Sequence, residues 1–241
     1  MSNVRLQVVL ARAGITSRRK AASLIESGRV SVNGKPVRER GFRVDTSKDT
    51  IEFDGNALPS PGKHYYYILN KPSGVISTVS DEKKRKSVLD CVKGPSRRLY
   101  PVGRLDRDTK GLILLTDDGE LCYRLTHPRF GLERVYEARV KGVVDSKALQ
   151  RIKKGIRVEG KNVSPEKITI RKAGSKFTVL SIVVKEGRKR EVRRMFEAVG
   201  CEVRELVRTR FGPLKLSGLP EGGYRPLTKE EIIKLKRSVK L

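Results

Sequence analysis

With two histidines and three cysteines in 241 residues, the chain has little with which to hold a metal. His64 and His127 are widely separated in sequence, which leaves a zinc site or a Ser-His triad without its usual donors. Cys91, Cys122 and Cys201 form no Cys-x-x-Cys pair. An odd count of this kind, behind an N-terminus (Met1-Ser-Asn-Val-Arg-Leu6) with no signal-like apolar core, reads as reduced thiols in a cytoplasmic protein. No run approaches the roughly 18 apolar residues that span a bilayer, so no membrane span is expected. There is also no P-loop, no Gly-x-Gly-x-x-Gly, no Gly-x-Ser-x-Gly and no His-Glu-x-x-His. Any chemistry falls to carboxylates, Arg, Lys and Tyr, with no metal and no cofactor expected.

Positive charge is what the chain has in excess. Lys and Arg number 54 against 27 Asp and Glu, a formal net charge of +27. Self-repulsion of that size destabilises a compact fold, so a polyanionic partner is the natural compensation. At 37% hydrophobic residues the chain can still bury a core, which separates it from charged disordered polymers.

Three pieces follow from the pattern. In residues 5–28, Leu6, Val9, Leu10 and Ala13 lie at helical spacing and stop at Gly14. Ser17 stands where an N-cap belongs, and Ala21, Leu24 and Ile25 give a second helix its buried face. Asn33-Gly34, between Val30-Ser-Val and Lys-Pro-Val37, predicts a tight hairpin, and Thr50-Ile-Glu-Phe53 a further strand. Residues 1–55 therefore read as one small module, and the Pro- and Gly-containing stretch 56–63 as a linker. On the polar face of the module, Arg5, Arg12, Arg18, Arg19, Lys20, Arg29 and Lys35 cluster around a helix start and a hairpin. Backbone N–H groups there add to the pull on phosphate, so an RNA or DNA contact is expected.

From residue 64 to 241, strand-like segments (65–69, 111–116, 134–140, 177–184) alternate with helix-like ones (119–126, 145–154, 189–199). The clearest helix carries Val192, Met195, Phe196 and Val199 on one stripe ahead of Gly200. Thr228-Lys-Glu-Glu231 has capping-box spacing and opens a basic terminal helix. The order suggests an α+β domain around a mainly antiparallel sheet. Lys83-Lys-Arg-Lys86 reads as a nucleic-acid-facing loop.

Three families of motif look familiar. Arg5-Leu-Gln-Val-Val-Leu-Ala-Arg-Ala-Gly-Ile-Thr-Ser-Arg-Arg-Lys-Ala21, with Gly28-Arg-Val-Ser-Val-Asn-Gly-Lys35, resembles the S4 RNA-binding domain. Gly103-Arg-Leu-Asp-Arg-Asp-Thr-Lys-Gly-Leu-Ile-Leu-Leu-Thr116 resembles the catalytic motif of pseudouridine synthases of the S4-bearing RsuA/RluB type. Leu69-Asn-Lys-Pro-Ser-Gly74, Glu133-Arg-Val-Tyr-Glu-Ala138, Glu186-Gly-Arg-Lys-Arg-Glu-Val-Arg-Arg-Met195, Arg210-Phe-Gly-Pro-Leu214 and Arg225-Pro-Leu-Thr228 match the same branch in the same order.

The resemblance implies a uridine isomerase acting on ribosomal RNA, more of the large-subunit type, with free RNA or an assembling subunit as partner and a monomeric state. It implies Asp106 as the catalytic aspartate, Tyr136 as the tyrosine stacked on the target base, and Arg193 as the arginine paired with the aspartate. Lys71 is expected to contact phosphate or position a loop, Arg104 to contact RNA, and Arg190 and Arg194 to make RNA or surface contacts. Glu191 stands where relatives more often carry Gln, which puts a secondary contact in doubt.

Plainer readings stand beside these. Asp108 rivals Asp106 as the important carboxylate, Tyr136 is a plausible half-buried strand tyrosine, and Arg193 lies four residues before Glu197. An assembly factor without chemistry fits the charge equally well. A DNA regulator fits less well, because a hairpin rather than a recognition helix follows the two helices. The tail at 228–240 is too weakly apolar for a membrane-surface helix.

Overall fold

The computed structural model describes residues 3–58, 63–93, 99–158, 160–216 and 218–241. The first two residues and residues 59–62 of the expected linker lie outside the described set. The chain divides into two compact units, one up to His64 and one from Tyr65 onwards.

In the first unit, strand β1 (Asn3–Arg5) leads into helices α1 (Leu6–Arg12) and α2 (Arg18–Glu26). Strands β2 (Val30–Val32), β3 (Lys35–Val37), β4 (Arg43–Asp45), β5 (Ile51–Phe53) and β6 (Asn56–Ala57) follow. Local chemistry accounts for most of this. The Ser17 hydroxyl accepts the Lys20 N–H at 3.3 Å and starts α2. Asn33 and Gly34 take φ of 52° and 76°, the positive pair that a two-residue hairpin turn needs. Leu6, Leu10, Ala21 and Ile25 pack on Val30, Val44 and Ile51 to make the core. Two features depart from the sequence reading. The N-terminal strand β1 pairs with β4, and Asn56–Ala57, expected to begin the linker, adds an edge strand to β5 while Leu58 packs on the core.

The second unit contains β7 (Tyr66–Lys71), β8 (Tyr100–Pro101), β9 (Lys110–Thr116), α3 (Gly119–Thr126), β10 (Arg134–Lys141) and α4 (Ser146–Lys154). It continues with β11 (Ile156–Val158), β12 (Lys161–Val163), β13 (Lys167–Lys172), β14 (Phe177–Val184), α5 (Glu191–Glu197), β15 (Val203–Phe211), β16 (Leu214–Lys215), β17 (Tyr224–Pro226) and α6 (Lys229–Arg237). Among the described residues one nine-stranded sheet has the path β13-β14-β10-β15-β9-β7-β17, with β8 and β16 added at the side. All its pairs are antiparallel except β15 with β9, which is parallel.

Strand β9 is buried on both faces: Leu112 and Leu114 enter one core cluster, Ile113 and Leu115 another. That explains its unbroken apolar run. Helices α4 and α5 cover β10, β14 and β15, while α3 and α6 close the other cluster. The Thr228–Glu231 capping box is present in both directions. Strand β15 was not foreseen. Its burial alternates irregularly, and Arg204, Glu205, Arg208 and Arg210 interrupt the apolar residues, which hides any period of two. Among the described residues no helix is long and apolar enough to cross a membrane.

Candidate active site

Sequence and sheet register meet at residues 102–109, the loop that enters β9. Its apolar member, Leu105, is buried with Leu69, Val75, Val88 and Ile113. Ser77 holds the same residue at both ends of its peptide unit. The Ser77 hydroxyl donates to the Leu105 carbonyl at 2.9 Å and accepts the Leu105 N–H at 3.1 Å. On the far side of Asp106, the Arg107 carbonyl accepts the Gly74 N–H at 2.8 Å and the Lys71 Nζ at 3.1 Å. The residues on both sides of Asp106 are thus clamped from the 71–77 segment, and the side chain between them is aimed by the backbone.

Lys71 is 0% exposed, with its ammonium inside the fold. Its three ammonium protons go to the Pro72, Val75 and Arg107 carbonyls at 2.9, 2.8 and 3.1 Å, so it positions the loop and has no proton left for phosphate. Burial lowers its pKa to about 8, against the opposing pull of Asp108, Cys91, Asp106 and Glu221. The folded pKa lies below the unfolded value of about 10.4, so the unfolded chain binds more protons in between. The proton equilibrium of Lys71 therefore adds an increment of stability that is full above about pH 10.4 and lost as pH falls to about 8, separate from its three hydrogen bonds. Lys71→Met takes a donor from three carbonyls, of which only that of Arg107 keeps another, the Gly74 N–H, and is expected to cost about 2–3 kcal/mol in chemical denaturation near neutral pH. It also removes the wild-type rise in stability between those two pH values. A variant with unchanged stability and unchanged pH slope contradicts this role.

Asp106 is half-buried in the wall of a cleft of about 860 Å³ within the second unit. Tyr136, Arg104, Arg190, Glu191 and Arg208 line the same cleft. Its described lining carries nine Lys and Arg against four Asp and Glu, a local excess that suits a phosphate backbone. Tyr136 gets there through a register shift. Val135 pairs with Arg210 but Tyr136 pairs with Arg208, a β-bulge of the kind that re-aims a side chain. Its ring, half-buried, also touches the core clusters on both sides of the strand.

Arg208 is the residue that sequence reasoning missed. It is 2% exposed, donates from Nε to the Leu112 carbonyl at 2.7 Å, and lies over the Phe211 ring at 4.9 Å. Its Nη2 has no hydrogen-bond partner among the described residues. Arg134, also buried in the cleft wall, donates to the Leu132 carbonyl at 2.9 Å, and burial lowers its pKa. Glu191 is buried too. Its carboxylate accepts the Arg188 N–H at 3.3 Å, and burial raises its pKa. Even with strand β15 recognised, Arg208 is one of three arginines on it, and its place opposite Tyr136 depends on the bulge.

One expected contact is not formed. Arg193 is buried, but its guanidinium pairs with Asp108 at 3.0 Å rather than with Asp106, and donates to the Val203 carbonyl at 2.8 Å. The physical reason lies in the loop. Asp108 sits two residues beyond Asp106 beside α5, and Arg193 also reaches its backbone carbonyl at 3.4 Å. Neither does Arg193 meet Glu197. That carboxylate is taken by Arg190 at 3.1 Å, which lies 3.9 Å from Asp108 as well. Arg194 is half-buried and does not line the cleft, whereas Arg104 is exposed in its wall.

In the first unit, Arg5, Arg12, Arg18, Arg19, Lys20, Arg29 and Lys35 are all exposed. Arg29 is the qualified member. It donates from Nε to Asp54 at 2.9 Å and lies over Phe53 at 4.9 Å, so part of its work is holding the hairpin to β5.

A half-buried aspartate, clamped on both sides and sharing a basic cleft with a strand tyrosine, is a pattern that can be compared. The family described as RNA pseudouridylate synthase matches residues 65–198, and the S4 domain family matches residues 4–51. The chain belongs to the RNA pseudouridylate synthases.

The synthase is 44% identical over 234 residues to a ribosomal large subunit pseudouridine synthase B of Bacillus subtilis, covering 96% of this chain and 95% of that one. It is 42% identical to an RNA pseudouridine synthase of Aquifex aeolicus, over 100% of this chain and 97% of the other. A crystal structure of a pseudouridylate synthase superposes with a TM-score of 0.66 at 31% identity, covering 96% of this chain and 99% of that one. The enzyme is an isomerase of the uridine-to-pseudouridine class, with an S4 domain ahead of a mixed α+β synthase domain whose sheet is mainly antiparallel.

Proposed function

We propose that the substrate is a uridine of large-subunit ribosomal RNA, presented to the cleft as a flipped-out base, and that Asp106 is the catalytic carboxylate. Isomerisation breaks the bond from ribose C1′ to uracil N1, turns the base, and joins C1′ to C5. N1 then carries a proton and C5 gives one up. A carboxylate serves as nucleophile or as charge stabiliser at C1′, splitting one hard step into easier ones. The observation that carries this role is the division of labour between the two aspartates. Asp106 lines the cleft with Tyr136, while Asp108 is 51% exposed, outside the cleft lining, and held by Arg193.

The target atoms are hidden in stacked RNA, so the base leaves its stack and Tyr136 replaces the lost contact. The 44% identity to the Bacillus enzyme over nearly the whole chain supports the ribosomal large-subunit target. In this reading Arg193 acts through Asp108 by holding the loop, and the exposed basic face of the first unit grips RNA. The test is tritium release from ribosomal RNA labelled at uridine C5, on free RNA and on immature particles, with the modified position mapped afterwards. Release to water with the new pseudouridine in large-subunit RNA is expected. Tight binding without release from either substrate overturns the reading.

A further inference from the structure

The end of α3 carries an aromatic and cationic cluster that the reaction does not use. Tyr123, on the last full turn, is 44% exposed. The Arg129 guanidinium lies 5.5 Å from the Tyr123 ring centroid and 4.6 Å from that of Phe130, so a flat cation sits between two rings. The His127 ring is 5.2 Å from Tyr123 and 6.4 Å from Phe130. It is held in place by accepting the Arg129 N–H at Nδ1, 3.2 Å away. His127 and Arg129 are exposed, and among the described residues no carboxylate pairs with Arg129.

Aromatic rings are scarce elsewhere: the whole chain has seven Tyr, six Phe and no Trp. Three ring-bearing residues and an Arg at one exposed turn are costly to keep in water for packing alone, since only Phe130 reaches the core beneath. The turn is continuous with the cleft. Pro128, between His127 and Arg129, lines the cleft, as do Thr126 and, in the Asp106 loop, Gly103.

We propose that Tyr123, His127, Arg129 and Phe130 form a stacking platform for unpaired RNA bases that flank the target uridine. Bases stack on Tyr and Phe faces and on Arg guanidinium planes, and such contacts tolerate any base because each has a π-face. A cation without a carboxylate partner supplies the matching charge for the phosphates between them. The site deepens the RNA-substrate reading and rests on it. An enzyme that pulls one base out of a stack must also hold its neighbours apart, and this platform lies beside the cleft where they emerge.

The test measures affinity of the full chain for a short oligouridine and for an abasic strand of equal length and charge, at one low salt concentration. Tyr123→Leu is expected to weaken oligouridine binding by about tenfold and to leave the abasic strand almost unchanged. Tyr123→Phe is expected to bind both strands as wild type does. Because Tyr123 is exposed, Leu at this position should melt at the wild-type temperature. Equal losses on both strands, or none on either, overturn the platform while leaving the RNA-substrate reading intact, and the patch then belongs to another occupant. A wild-type chain that binds neither strand also overturns the platform, and the RNA-substrate reading is then decided separately by tritium release from ribosomal RNA.

Discussion

Asp106→Asn is expected to lower tritium release by on the order of 1,000-fold or more while leaving RNA affinity within a few-fold. The substitution keeps the shape of the side chain and removes only its charge. The loop should hold, because Leu105 and Arg107 are fixed by Ser77, Gly74 and Lys71 through contacts that do not involve the Asp106 carboxylate. Asp108→Asn is the informative companion. It removes the pairs with Arg193 and Arg190, of which only Arg193 is buried, and should slow the reaction less than Asp106→Asn. Full activity of Asp106→Asn together with a dead Asp108→Asn would reverse the assignment.

Gly111→Ala is expected to be the most damaging single-methyl change to folding. Gly111 has φ of +105°, a region that side chains rarely enter. A Cβ there would lie 2.4 Å from the backbone oxygen and 2.6 Å from the backbone nitrogen of Arg208. Neither atom can move aside, because both belong to the central sheet, where Arg208 of β15 pairs in parallel with Gly111 of β9. Backbone strain and overpacking together put the cost at about 3 kcal/mol or more, and the variant should melt well below wild type or fail to accumulate. An unchanged melting temperature would contradict so close an approach of β9 and β15. Because Arg208 stands in the cleft wall beside Tyr136, any variant that does fold should also lose turnover.

The local elements of this chain were legible from residues alone because each rests on contacts within a few positions. Ser17 caps α2, Asn33-Gly34 turns the hairpin, Thr228 and Glu231 box the last helix, and Val192, Met195 and Phe196 turn one face inward. The resemblance likewise named the RNA pseudouridylate synthase family and pointed to Asp106 and Tyr136, which the structure brings to one cleft.

Long-range partners were another matter. Nothing in the spacing says that Lys71 spends its protons on three carbonyls, that Asn56–Ala57 pairs as a strand, or that Arg193 meets Asp108 in place of Asp106. Arg208 was hidden because its strand breaks the alternation by which strands are recognised, and its place opposite Tyr136 depends on a bulge. Which polar groups meet across tens of residues is decided by register and by the requirement that every buried donor find an acceptor. Those constraints exist only once the sheet has closed, so the sequence determined the caps, the hairpin, the clearest helices and the family, and the tertiary structure decided the partners.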